Sequence, residues 1–231
     1  MKVQALRAAF PLTIPIMAGF LFLGTTYGIY MRLSGFSFWY PALISLLVFG
    51  GSLQFVLVPL LLAPFAPLET LVLALFLQAR HLFYGISMLD QYHNLGWKRF
   101  YLIFALCDET FSVAYSARIP QGVDAGWFYF FISLLNHLYW FLGSLVGGLA
   151  GSLVQFETRG LDFVLTALFL VIFLDQWSSK GQHLPALTGI LVSVAGLLIL
   201  GPDSFLLPVM AAILILLTLG RKLVEKEALQ P

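Results

Sequence analysis

The sequence predicts an all-α membrane protein: a polytopic bundle of about 7–8 transmembrane helices, one or more broken near the midplane. Three observations carry this. Of 231 residues, 60% are apolar or aromatic and only 10% are charged, with a mean hydropathy of +0.94. A soluble domain carries roughly 25% charged residues and needs them to cover its core, so a soluble enzyme or binding module is excluded. The charges fall in short clusters between long apolar runs, and a spanning helix takes about 20 residues. Glycine and proline interrupt some of those runs in their middles. Residues 1–231 read as one transmembrane domain whose solvent is the bilayer.

The elements follow in order. Lys2 and Arg7 precede an uncharged run, residues 8–31, which is too long for a cleavable signal peptide and reads as a retained span at about 9–31. Residues 33–68 hold no Asp, Glu, Lys or Arg; Pro41 opens the apolar part, Gly50-Gly51 and Pro59 interrupt it, and Pro64 and Pro67 close it. A span at 40–62 with a broken or unwound middle fits that pattern. A third span, 68–89, ends in the polar stretch Asp90 to Arg99. A fourth covers 100–119, and Pro120-Gln121-Gly122 makes the next turn. The fifth, 127–154, places Gly143, Gly147 and Gly151 on one face, a small-residue pattern for close helix contact. That contact is expected either inside the chain or with a partner. Glu157, Arg159 and Asp162 mark a loop before spans at 161–177, 184–201 and 205–220. Only Gly201-Pro202-Asp203 joins the last two, so a single bent element is the alternative. No internal repeat is evident.

Orientation follows from Lys and Arg, which favour cytoplasmic loops. With eight spans and the N-terminus inside, the inner face holds Lys2, Arg7, Arg118, Lys180, Arg221, Lys222 and Lys226. The outer face holds Arg32, Lys98, Arg99 and Arg159, so a cytoplasmic N-terminus is expected, with Lys98-Arg99 pulling the other way. The total of 12 Lys and Arg against 11 Asp and Glu offers no basic face for nucleic acid. The single cysteine, Cys107, excludes an internal disulfide and a multi-cysteine metal site.

The informative residues are those a membrane should exclude. An ionisable group at mid-bilayer costs at least about 2.5 kcal/mol, so it faces a cavity or a partner. The spans carry Gln54 beside Gly50-Gly51-Ser52, then Arg80-His81, Asp108-Glu109 and Asn136-His137. In antiparallel helices, residues equally far from the connecting turn lie at equal depth. Arg80 and Glu109 share their midpoint with His81 and Asp108, inside the Asp90–Arg99 loop. The midpoint of Glu109 and Asn136 falls in the Pro120–Gly126 loop, and that of Gln54 and Arg80 falls at Pro67. Four spans thus place these residues in one layer. Arg80 lies ten residues before Asp90, or ~15 Å, about half of a ~30 Å hydrocarbon core. Neighbouring residues on a helix point about 100° apart, so one of each doublet aims at a given neighbour. A structural ion pair explains two residues; four contributing spans favour a functional layer.

No GxxxxGK[ST], HExxH or GxSxG motif occurs, so no P-loop, zinc-protease or serine-hydrolase chemistry is expected, and neither cofactor nor metal. A midplane polar layer, a glycine-broken helix and no catalytic motif read as a transporter rather than an enzyme. A channel and a non-transporting scaffold or receptor subunit remain the alternatives.

Gly50-Gly51-Ser52-Leu53-Gln54-Phe55, Arg80-His81-Leu82-Phe83-Tyr84-Gly85 and Asp108-Glu109-Thr110-Phe111, in that order and spacing, resemble the AzlC family, the large subunits of branched-chain amino acid exporters. The likeness includes Pro15 and spans about residues 5–170. It implies a multi-pass protein of a bacterial or archaeal inner membrane that exports valine, leucine, isoleucine and sometimes methionine. It further implies a small AzlD-type membrane subunit and energy from the proton motive force, and it leaves room for higher oligomers of the heterodimer. An aliphatic zwitterion needs a counter-charge, an ammonium acceptor and an apolar pocket. Arg80 suits the first, Asp108 or Glu109 the second, and Phe55, Phe83 and Phe111 the third, with His81 and His137 as alternative proton carriers.

Overall fold

A computed structural model describes residues 2–153, 170, 173, 174, 177, 183–201 and 205–220. All regular elements among them are helices. The chain divides into two compact units, Met1–Thr158 and Arg159–Pro231.

In the first unit, α1 (Lys2–Leu33) and α8 (Ala125–Ala150) form a spine. Both are long and apolar enough to cross a membrane. They touch backbone to backbone. A Cβ on Gly28 would collide with the Ser144 carbonyl, and one on Gly147 with the Thr25 carbonyl; Gly24 and Gly143 lie opposite each other one turn earlier. Only glycine permits this approach. The small-residue face of α8 therefore packs inside the chain. The register also sets direction: Lys2 sits over the Trp127 ring, Gly24 meets Gly143, and Gly151 meets Arg32. Since both numbers rise together, α1 and α8 run parallel, from a first end to a second.

The six short helices between them are α2 (Trp39–Leu47), α3 (Ser52–Leu62), α4 (Pro67–Leu77), α5 (Ala79–Ser87), α6 (Lys98–Phe104) and α7 (Asp108–Ser116). At ~1.5 Å per residue, none is long enough alone for a ~30 Å core. Helix α2 starts at the second end, with Phe38 and Pro41 against Gly148, and descends until the Phe49 ring meets His137 at 4.5 Å. There the chain reverses. Phe49 (φ +43°) and Gly51 (φ +50°) adopt left-handed backbone. Gly51 does so freely, whereas Phe49 is held by burial against Phe20 and His137. Helix α3 returns toward the second end, where Phe55 packs on Tyr27 and Tyr30.

Helices α4 and α5 are one bent element with an angle of 46° at Gln78. It crosses from the second end to the first, where Met88 and Tyr92 join Ala5, Ala9, Phe128 and Tyr129 in the buried cluster. Helix α6 starts at the first end, with Trp97 and Lys98 against Trp127, and runs inward until Phe104 reaches His137. Helix α7 starts at that depth, with Thr110 on Asn136, and returns so that Ala114 enters the first-end cluster.

The segments expected as spans at 40–62 and 100–119 are thus two helical hairpins, entering from opposite ends with their tips at mid-length of the spine. The midpoint arithmetic is blind to this difference, because a helix that stops at mid-depth and turns back puts its tip residues where a crossing helix would put its middle. By length and composition α1, α8 and one C-terminal helix can each cross a membrane, and α4–α5 adds a fourth when counted as one. The described residues do not supply seven or eight full-length spanning helices.

In the second unit, α9 (His183–Leu200) and α10 (Leu206–Leu219) fold back on one another, with Gly196 against Val209. They are two elements, not one bent one. The expected span at 161–177 lies outside the described residues, save Leu170, Phe173, Leu174 and Trp177.

Candidate functional site

Reversing a helix inside an apolar bundle frees backbone N–H and C=O groups, which need partners there. At the tip of the first hairpin the Gly50 peptide is held from both sides. Its N–H donates to Gln54 Oε1 at 3.2 Å, and its carbonyl accepts from Gln78 Nε2 at 3.0 Å. Gln54 is fully buried. Its Oε1 also accepts from the Trp140 indole N–H at 2.7 Å, and its Nε2 donates to Ser45 Oγ at 3.0 Å. Ser45 donates to Ser144, which donates to the Trp140 carbonyl. The network closes on α8.

The second tip, residues 105–107, opens into α7 with Asp108 and Glu109 in its first turn, where unpaired N–H groups favour negative charge. Asp108 Oδ2 lies 2.8 Å from Arg80 Nη1, and both side chains are half-buried. His81 Nε2 lies 3.9 Å from Asp108 Oδ1, beyond hydrogen-bond reach, and that oxygen is buried without a hydrogen-bond partner. Glu109 is exposed and is not part of the Arg80 ion pair. Two residues beyond Asp108, Thr110 Oγ1 accepts from Asn136 Nδ2 at 3.1 Å and contacts Cys107 Sγ at 3.2 Å. Asn136 Oδ1 is buried and unpartnered.

His137 stands between the tips. Its Nε2 lies 3.2 Å from the Ser45 carbonyl on the first hairpin, and its Nδ1 lies 3.0 Å from Tyr101 Oη on the second. A carbonyl only accepts, so Nε2 carries a proton, and in the neutral ring Nδ1 accepts from the tyrosine.

The layer read from the sequence therefore appears as two connected groups. Gln54 and His137 meet at Ser45, while Arg80, His81 and Asp108 cluster at the other tip beside the Thr110–Asn136 contact. Glu109 stands outside the ion pair. Of the three phenylalanines, Phe55 is buried among Tyr27 and Tyr30, Phe83 is exposed, and Phe111 stacks on Tyr84 at 4.5 Å beside the ion pair. Sequence reasoning missed Gln78, Ser45, Tyr101, Thr110 and Trp140. Gln78 carried a usable signal, a carboxamide in an apolar run two residues before Arg80. The hydroxyls carried none, since Ser and Thr in membrane helices commonly bond back to their own helix.

Apolar helices of spanning length, reversed hairpins and a polar layer at their tips define a helical membrane protein. The chain belongs to the AzlC protein family, whose pattern matches residues 15–154. It is 55% identical to the branched-chain amino acid transport protein AzlC of Bacillus subtilis over 96% of this chain and 87% of that protein. An uncharacterized membrane protein of Haemophilus influenzae is 46% identical over 94% of this chain and 89% of its own. One of Archaeoglobus fulgidus is 30% identical over 80% of this chain and 81% of its own. No solved structure matches.

Proposed function

We propose that this protein is a secondary transporter that exports branched-chain amino acids (valine, leucine, isoleucine and sometimes methionine) together with a small AzlD-type subunit, driven by the proton motive force. The observation that carries the reading is the Arg80–Asp108 pair at 2.8 Å, half-buried at the second hairpin tip at mid-length of the spine. The similarity to the Bacillus subtilis transport protein supports the substrate class. In this reading the guanidinium takes the substrate carboxylate and Asn136 Oδ1 accepts from the ammonium. When the substrate carboxylate engages Arg80, Asp108 loses the guanidinium that compensated it and becomes the group that takes the proton. Substrate occupancy and proton occupancy are thereby linked.

The distribution of basic residues supports a cytoplasmic N-terminus. Within residues 2–153, Lys2, Arg7, Lys98, Arg99 and Arg118 lie toward the first end and Arg32 at the second. Lys98-Arg99, which oppose this orientation when eight spans are assumed, join the N-terminal side once 40–62 is a hairpin. Positive charge then marks the first end as cytoplasmic.

Proteoliposomes holding this chain and its small subunit, loaded with labelled leucine, test the reading. Saturable efflux accelerated by an imposed proton gradient is the expected result. Unsaturable flux would identify a channel, and absence of flux a scaffold.

A further inference from the structure

The bent crossing element touches both hairpin tips from a stretch of three residues. Gln78, at the break, donates through Nε2 to the Gly50 carbonyl of the first tip at 3.0 Å. Arg80, two residues on, holds Asp108 of the second tip at 2.8 Å. The backbone between them is short and partly helical: Gln78 caps α4 and precedes α5, and its carbonyl accepts from the His81 N–H at 3.0 Å. Displacing Gln78 therefore displaces Arg80. Neither α4 nor α5 has a buried residue, and within the chain the bend is held by Gln78 and Arg80 while the Tyr84–Phe111 stack and Met88 anchor the far end of α5. The Gln78 amide is also closely fitted, since a Cβ on Gly50 would lie 2.8 Å from its Nε2.

We propose that Gln78 is a positioning residue that couples the two hairpins. It registers the break of α4–α5 against the first tip and thereby aims Arg80 at Asp108 on the second. This role rests on the transporter reading for its purpose, because two hairpins entering from opposite ends must not open together in an alternating carrier. Its geometry stands independently of substrate identity.

The chain reports on itself, because its one cysteine, Cys107, lies at the second tip. When opening is fast relative to labelling, the rate of alkylation follows the open population. The experiment is alkylation of Cys107 by N-ethylmaleimide in the liposome-reconstituted full chain. The variant Gln78→Met keeps the side chain's length and removes its hydrogen bond. It should raise the Cys107 rate about fivefold, the factor supplied by one neutral hydrogen bond. Gly50→Ala, which crowds the same amide without altering Gln78, should raise it similarly, and serves alone should Gln78→Met fail to fold. Arg80→Met should raise it as much or more, and adding Gln78→Met to it should change nothing further. A wild-type rate in Gln78→Met overturns the proposal, as does a full additional increase in the Arg80→Met background. Labelling needs neither substrate nor small subunit, so a failed efflux assay leaves this result intact.

Discussion

Asp108 and Glu109 are adjacent, equally acidic and equally placed by sequence, yet only Asp108 makes the ion pair with Arg80. The ~100° turn between neighbours on a helix separates them. Replacing Asp108 by Asn should therefore slow gradient-driven leucine efflux at least about tenfold, a loss that needs only about 1.4 kcal/mol at the transition state. Glu109→Gln should stay within about twofold of wild type on the same energy scale. Equal losses in both variants would remove the distinction. Asn136 and His137 depart from the one-of-each-doublet expectation, because α8 is enclosed on several sides and each residue meets a different neighbour. Gln54 has a different kind of importance. Gln54→Leu leaves the Gly50 and Trp140 N–H groups buried without their shared acceptor. At about 1–3 kcal/mol for each unmet group, a clear drop in the melting temperature of the detergent-solubilised protein is expected.

At the scale of elements, the glycines separate packing from chain flexibility. Gly147 lies against the Thr25 backbone, while Gly19 of the same spine has nothing within 4 Å of where a Cβ would stand. Gly147→Leu should therefore cost at least about 1–3 kcal/mol through overpacking, and it should lower the stability of the isolated chain. Gly19→Ala should be neutral or stabilising by up to about 1 kcal/mol, because alanine favours the helix. Thermal denaturation of the two variants checks the contrast. The expectation of a small-residue contact on 127–154 was legible from spacing alone. Which helix fills it was not, because spacing specifies a face and is silent on its occupant. The hairpins were hidden for a related reason. Gly50-Gly51 announced a break, but a break permits a kink, an unwound stretch or a reversal. The reversal depends on Phe49 and Gly51 taking left-handed backbone and on Gln78 arriving from another element.

For the whole molecule, the hairpin arrangement and the eight-span arrangement assign loops to different sides. With Cys107 replaced by Ser, single cysteines at Ser34, Phe65, Asn94 and Gln121 can be labelled with a membrane-impermeant maleimide. The hairpin arrangement expects positions 94 and 121 on the side of the N-terminus, and 34 and 65 together on the other. Eight full spans would put 94 with 34, and 121 with 65. That pairing would refute the hairpins.

The sequence by itself determined the solvent, the helical class and the depth of the polar residues. Each follows from quantities that are additive along the chain: apolar content, charge spacing and a rise of ~1.5 Å per residue. Only the tertiary structure decided which elements cross and which turn back, which carboxylate faces Arg80, and that Gln78 reaches Gly50. Those outcomes depend on pairwise contacts between residues far apart in sequence. Equal depth brings such residues to one level, and the packing of the parallel α1–α8 spine with the bent α4–α5 element then selects which of them meet.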